Sequence, residues 1–474
     1  MHLARQSIFA TNPTQLIDIR FEAEGRIFTC STPSGFAIYE TWPLKLLKKR
    51  ELKNGTLNIV HPCQTSSILF LVGGGRSPHY PRNKVIIWDE AAGREAAELE
   101  FREPVLGLAC RRGWLSVAFR SRVVLFKVSE KGVSRVIEYA TWDNPRGLVA
   151  MASTPGSTLL AILGQHAGHV QLIHLSPCPP PPLSVTTSPT YREPRIPKPP
   201  QVSPKKAPPF IVAHKTALTT LSVTQSGRLL ATTSSQGTLV RVWDATTGGL
   251  VKELRRGSDK AEIYGTAFRP DEQEICCWSD KGTVHIFSLG SGEGPSNRTS
   301  SFSPLSPFIK LPKYFASQWS YAHYRLPAAS SHIMLSSSPK SRDESDAGEE
   351  EKCIVTWIEV PSETLDLPGI GKGKGKALES KPEYQLIALT YSGGWYRLAL
   401  PSASAQSAQS DLKNQGASPR IPSSPLGRSS PVAISRPASV KGKEKEDEFD
   451  QDSHSERRCT LQEFRRFGRW DGWG

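Results

Sequence analysis

Arg255 and Arg256 stand side by side in Leu254-Arg255-Arg256-Gly257, between two strand-like runs of nearly the same design. Gly237-Thr238-Leu239-Val240-Arg241-Val242-Trp243-Asp244 precedes them, and Gly282-Thr283-Val284-His285-Ile286-Phe287 follows. Neighbouring residues of an extended chain point to opposite sides. Two adjacent guanidiniums are therefore poorly placed to share one ligand and well placed to serve two. Each can make bidentate, charge-assisted hydrogen bonds to a phosphate, a geometry that Lys does not offer. The tetrapeptide predicts a pair of anion pockets on neighbouring repeats. The competing reading is a solvated edge, or ion pairs with the nearby Asp259 and Glu262.

The elements that must carry these arginines recur along the chain. Each is a Gly or polar turn followed by alternating β-branched or aromatic residues: Gly35-Phe36-Ala37-Ile38-Tyr39, Asn83 to Asp89, Ser121 to Phe126, Gly168 to Ile173, the two runs flanking the arginines, and Gly394-Trp395-Tyr396-Arg397-Leu398. Where no low-complexity insert intervenes, the units lie roughly 40 to 50 residues apart, the spacing of propeller blades. Before most of them comes a second strand pattern, as in Ser67 to Gly74 and Gly227 to Ser234. Strand, turn and strand ending in Trp-Asp is a degraded WD-repeat signature. One four-stranded blade cannot bury both its faces, whereas seven in a ring can. No helical periodicity competes. The expected fold is all-β: a seven-bladed WD40-type β-propeller over 1–400, with long disordered inserts and a disordered C-terminal region.

Composition sets the interruptions. Hydrophobic residues make up 38% of 474 residues, too few for a chain packed throughout. The Pro-rich stretch 176–209 is expected to be an exposed extended loop. Segments 336–351 and 363–381 are polar or Gly-Lys rich and are expected to split the seventh unit. Residues 401–458 read as a disordered low-complexity tail, and 459–474 regain aromatics that suit a return to the propeller. The net charge of +14 favours acidic partners. The eight cysteines show no Cys-x-x-Cys spacing, which predicts reduced thiols, with Cys276 and Cys277 pointing apart. Met1 to Arg5 opens no apolar run of signal-peptide length. The uncharged stretch Gly147 to Leu175 is broken by Pro155-Gly156 and Gly164, so it reads as strand, turn, strand and not as a membrane span.

Several motifs resemble a known family. Leu71-Val72-Gly73-Gly74-Gly75, Pro78, Pro81, Asn83-Lys84-Val85 and Ile87-Trp88-Asp89 resemble the second-blade signature of the PROPPINs. These are the phosphoinositide-binding β-propellers of autophagy, called WIPI proteins in animals. The likeness continues through Ala213 to Leu218, Gly237 to Arg241, the Leu254 to Ser258 run, Ser279 to Phe287, and Leu311-Pro312-Lys313-Tyr314-Phe315 with Trp319-Ser320. Leu254 replaces the aromatic of the commoner Phe-Arg-Arg-Gly, and Gln236 stands where a Lys is expected.

The resemblance implies binding of phosphatidylinositol 3-phosphate and phosphatidylinositol 3,5-bisphosphate. It implies a first pocket of Arg255, His214, Ser235 and Thr238, and a second of Arg256, Ser279, Lys281, Thr283 and His285. Hydroxyls suit such ligands because they donate and accept. Gly257 would let a ligand or the next strand approach the backbone. It further implies a partner, the bridge-like lipid-transfer protein of autophagy, docked around the first three blades. The expected location is cytoplasmic, peripherally on preautophagosomal, vacuolar and endosomal membranes.

The long connection 289–319 adds a membrane signal. Phe302, Leu305, Phe308 and Ile309, with Lys310 nearby, are expected to insert into the bilayer interface. Docking on the propeller edge is the alternative for Leu311 to Phe315.

Other chemistries are poorly supported. Zinc at His166, His169 and His174 would need convergence, yet the last two fall on opposite faces of one strand. Gly73-Gly74-Gly75 lacks the Lys-Ser/Thr of a nucleotide loop. No nucleophile or paired-carboxylate arrangement is tied together, so neither an enzyme nor a cofactor is expected. Aromatics are not interleaved with the arginines as nucleic-acid stacking requires. The main alternative function is a WD-repeat protein-interaction scaffold without direct lipid binding.

Overall fold

The computed structural model describes residues 16–52, 55–64, 66–75, 77–181, 196–200, 208–290, 295–298, 317–327, 351–360, 383–401 and 458–468. Among these residues the chain forms seven sheets, antiparallel apart from one short added strand, and no helix. Blade 1 holds β1 (Asp18–Phe21), β2 (Ile27–Thr32), β3 (Gly35–Glu40) and β4 (Lys45–Glu51). Blade 2 holds β5 (Leu57–Pro62), β6 (Ile68–Gly73), β7 (Lys84–Asp89) and β8 (Arg94–Glu100). Blade 3 holds β9 (Gly107–Arg111), β10 (Trp114–Ala118), β11 (Arg122–Ser129) and β12 (Gly132–Ala140). Blade 4 holds β13 (Val149–Met151), β14 (Leu159–Leu163), β15 (His169–His174) and β16 (Phe210–Val212). Blade 5 holds β17 (Leu218–Val223), β18 (Leu229–Ser234), β19 (Leu239–Asp244) and β20 (Leu250–Arg255). Blade 6 holds β21 (Ile263–Phe268), β22 (Glu274–Ser279), β23 (Thr283–Ser288) and, after the long connection, β25 (Ala322–Arg325). The short β24 (Gln318–Trp319) instead adds a fifth, parallel strand to blade 5. Blade 7 holds β26 (Cys353–Val360), β27 (Glu383–Thr390), β28 (Gly394–Ala399) and β29 (Thr460–Arg466).

All seven recurring segments of the sequence are third strands. The first strands neighbour one another around the whole ring, from β1 beside β5 through to β26 beside β1. Alternation gives every blade two apolar faces, and the buried residues fall into seven clusters, one at each seam between adjacent blades. Cys276 and Cys277 enter different clusters, at the 6/7 and 5/6 seams, so their side chains do point apart. All eight cysteines are buried free thiols. Gly147 to Leu175 forms β13, β14 and β15, and no helix among the described residues is long and apolar enough to cross a membrane.

The inserts take definite places in the strand order, and one of them, 336–351, differs from the sequence expectation. The Pro-rich stretch lies inside blade 4, between β15 and its outer strand β16. Its start is pinned rather than loose: Arg111 Nη2 donates to Ser176 O at 2.5 Å, Arg112 Nε donates to Pro179 O at 3.0 Å, and Cys178 is buried. Segment 336–351 falls between blades 6 and 7, whereas 363–381 and 401–458 both interrupt the seventh blade. Blade 7 is completed from beyond residue 400, where β29 pairs with β28 from Gly394↔Arg466 to Ala399↔Thr460.

Candidate anion pockets at the two seams of blade 5

The outer strand β20 sets the direction of both arginines. Its Leu254 packs with Val240 and Val242 against Ile275, Cys277 and Phe287 of blade 6. Arg255, one residue on, takes the opposite face, which it shares with Arg241 and Trp243. Trp243 packs on Leu172 and Ile211 of blade 4. Arg256 returns to the Leu254 side, where its positive charge bears on Cys277 and His285. The pair thus splits across β20, as strand alternation requires.

Both arginines are nevertheless buried, each about 7% exposed, where side chains open to a ligand on neighbouring repeats were expected. Two later segments account for this. Arg255 is covered by the stem of the long connection: its Nε donates to Ser317 Oγ at 2.8 Å, and its guanidinium lies 5.9 Å from the Trp319 ring. Arg256 is wrapped by the link to blade 6: its Nε donates to Gly237 O at 2.9 Å and its Nη2 to Asp259 O. The bond to Asp259 uses the backbone oxygen, and Glu262 spends its carboxylate on Arg146 at 2.6 Å. Among the described residues neither nearby acid forms an ion pair with Arg256. Gly257 has open space where a side chain would stand, so no neighbouring strand approaches it.

The second group assembles around the β22–β23 turn. Gly282 N donates to Ser279 O at 3.1 Å, and Gly282 adopts φ +63°, which favours glycine. Ser279, expected as a ligand, is fully buried, and its Oγ accepts from Lys281 N at 3.3 Å; it shapes the turn. Thr283 Oγ1 donates to Lys281 O at 3.3 Å, while the Lys281 side chain is exposed. His285 is half-buried, with Nδ1 3.2 Å from Ser320 Oγ and its ring 6.5 Å from His323. Burial first, then the charges of Arg256 and His323, push its pKa down to about 3. It is therefore a neutral hydrogen-bonding group at neutral pH.

The first group is built differently from the expectation. The β18–β19 turn repeats the same geometry, with Gly237 N on Ser234 O at 2.8 Å and Gly237 at φ +63°. An added Cβ on Gly237 would fall 1.6 Å from Ala261 O, so no other residue fits. Ser235 is exposed beside this turn, and Thr238 O accepts from Arg256 N at 3.0 Å. His214 is buried rather than presented, its Nε2 lying 3.0 Å from Thr232 Oγ1, which also accepts from Trp243 Nε1 at 3.0 Å. That network braces the strands of blade 5. Burial first, and then the charge of Arg241, lower the His214 pKa to about 4.

Arg241 is a basic residue beside the first group that the sequence did not place among the expected pocket residues. It bonds Ala213 O at 2.8 Å and pairs with Glu253 at 2.9 Å. Its signal was an arginine between Val240 and Val242 in an otherwise apolar strand. Ser317 and Ser320 were also missed as site residues. Phe302, Leu305, Phe308, Ile309 and the Leu311 to Phe315 run lie outside the described residues. Of the three histidines weighed for zinc, His166 and His169 have rings 5.3 Å apart, while His174 Nδ1 lies 2.9 Å from Thr158 Oγ1.

Comparison with known proteins is consistent with this geometry. A family model described as PROPPIN matches residues 203–336, which contain both turns and both arginines. The chain is 29% identical over 328 residues to SVP1-like protein 2 of Pichia angusta, covering 69% of this chain and 84% of that protein. It is 30% identical over 315 residues to Autophagy-related protein 18e of Arabidopsis thaliana, covering 65% of this chain and 76% of that one. The solved structure of Kluyveromyces lactis Hsv2 with its complete loop 6CD matches with a TM-score of 0.54 at 17% identity, over 82% of this chain and 94% of that one. At that identity the likeness speaks for the fold.

Proposed function

The chain belongs to the PROPPIN family of phosphoinositide-binding β-propellers of autophagy, and on that premise we propose that it binds phosphatidylinositol 3-phosphate and phosphatidylinositol 3,5-bisphosphate through two pockets. One is built on Arg255 with Ser235 and Thr238, backed by His214 and Arg241. The other is built on Arg256 with Lys281, Thr283 and His285, on a turn shaped by Ser279. In each, a guanidinium supplies charge and a fork of donors, while hydroxyls and a neutral imidazole complete the hydrogen bonding.

The observation that carries this reading is the split of Arg255 and Arg256 across the end of β20, with the charge of Arg256 bearing on the His285 side. Binding exchanges their present oxygen partners, a serine hydroxyl and backbone carbonyls, for phosphate oxygens, a stronger acceptor for a cation. Phe302, Leu305, Phe308 and Ile309 enter the bilayer interface beside the pockets. After one contact forms, the others act at high effective concentration, so recruitment responds steeply to lipid density. The protein then acts peripherally on preautophagosomal, vacuolar or endosomal membranes and recruits the lipid-transfer protein of autophagy through blades 1 to 3.

Flotation with liposomes carrying each phosphoinositide in turn tests this function. Selective flotation with 3-phosphorylated lipids is expected; equal flotation with every lipid, or none, contradicts it and leaves the scaffold reading.

A further inference from the structure

Four residues at the end of the long connection touch both arginine groups. Ser317 Oγ accepts from Arg255 Nε at 2.8 Å, and Ser320 Oγ lies 3.2 Å from His285 Nδ1, the imidazole under the charge of Arg256. Between them, Gln318 and Trp319 run parallel to β20 in register with Leu254 and Arg255.

This segment is held along its length. Trp319 N donates to Arg298 O at 2.8 Å, and Arg298 N donates back to Trp319 O at 3.1 Å. Asn297 Nδ2 donates to Gln318 Oε1 at 2.8 Å, while Asn297 also exchanges two 2.7 Å bonds with the Ser288 backbone. Tyr321 N donates to Ile286 O at 3.1 Å, immediately beyond Ser320. Ser317 and Ser320 thus belong to one short segment that is bonded to Asn297, Arg298 and β23 along its length.

The Nε–H that Ser317 occupies is one donor of the fork a phosphate would take. Phosphate engagement of Arg255 competes with that hydroxyl, displaces the segment, and alters the Ser320 contact that holds His285. The reverse path begins at His285. We propose that Ser317 and Ser320 are positioning residues that couple the two pockets, so that one phosphorylated headgroup changes the affinity for the second. This rests on the two-pocket reading and adds to it an energetic link between the sites. Such a link is reciprocal, and for coupled sites it is typically about 5-fold or more in affinity.

The test is calorimetric titration of the full chain with soluble inositol 1,3-bisphosphate. Arg256→Thr reads the first pocket alone, and Arg255→Thr reads the second. Wild-type binding should depart about 5-fold or more from the sum of these two isotherms. In Ser317→Ala and in Ser320→Ala the departure should vanish, whereas Ser317→Thr, which keeps the hydroxyl, should retain it. Thermal melts identify any variant that misfolds, and the Ser320 and Ser317→Thr arms then decide. A wild-type isotherm equal to the sum of the single pockets overturns the coupling while leaving both pockets standing. So does coupling that persists in folded Ser317→Ala and Ser320→Ala. Absence of headgroup binding in the wild type and both arginine variants overturns the two-pocket reading itself, and the coupling with it.

Discussion

Arg256 and His285 face each other's environment across the seam between blades 5 and 6, and burial together with that arginine's charge holds the imidazole pKa near 3. His214 is depressed to about 4 at the other face of blade 5. The unfolded chain takes up protons on histidine at about pH 6.5, before either folded imidazole does. Stability is therefore full above about pH 6.5 and falls as the pH drops toward the folded values. Urea unfolding at pH 7.5, 6 and 5 should show this slope. His285→Gln should reduce the proton uptake on unfolding by about one proton; an unchanged slope refutes the buried-neutral assignment.

His214 braces the blade in concert with Thr232 and Trp243. Thr232→Val leaves Trp243 Nε1 and His214 Nε2 without their shared hydroxyl. A lost buried hydrogen-bond partner costs about 1–3 kcal/mol per orphaned group. Chemical denaturation should register a loss of that order. A variant as stable as wild type would return His214 to the role of a simple ligand.

The ring is closed by residues remote from the rest of blade 7. Truncation after residue 401 removes β29 and bares the edge of β28, whose Trp395 and Tyr396 are buried. An unpaired apolar edge favours association and opening. The truncated chain should melt at lower temperature and elute at larger apparent size than full length. Identical behaviour would show that β29 contributes nothing to closure.

Replacing Phe302, Leu305 and Phe308 by serine separates insertion from headgroup recognition. Liposome binding should fall by about 10-fold or more, since each apolar side chain withdrawn from the interface forfeits about 1.5–3 kcal/mol at full burial. Titration with the soluble headgroup should not change. Equal losses in both assays would argue against insertion.

The fold was legible because strand alternation is written into the third strand of every blade, from Gly35-Phe36-Ala37-Ile38-Tyr39 to Gly394-Trp395-Tyr396-Arg397-Leu398. Outer strands were harder. Thr460-Leu461-Gln462-Glu463-Phe464-Arg465-Arg466 is largely exposed, so burial imposes little pattern on it. The divergence of the two arginines followed from alternation alone. Their burial did not, because the covering groups come from elsewhere: Ser317 lies 62 residues from Arg255, and the acid beside Arg256 is drawn away by Arg146, 116 residues from Glu262. His214 and Ser279 were expected as ligands by type, and sequence could not show the bonds they already make, His214 with Thr232 and Ser279 with the Lys281 amide.

The most direct measurement is flotation of the double variant Arg255→Thr with Arg256→Thr on liposomes containing phosphatidylinositol 3-phosphate. A charge-assisted hydrogen bond contributes about 1.5–3 kcal/mol, so loss of both guanidiniums should weaken binding by about 100-fold or more. The melting profile should stay cooperative. A cooperatively folded double variant that floats as wild type does would contradict the two-pocket account.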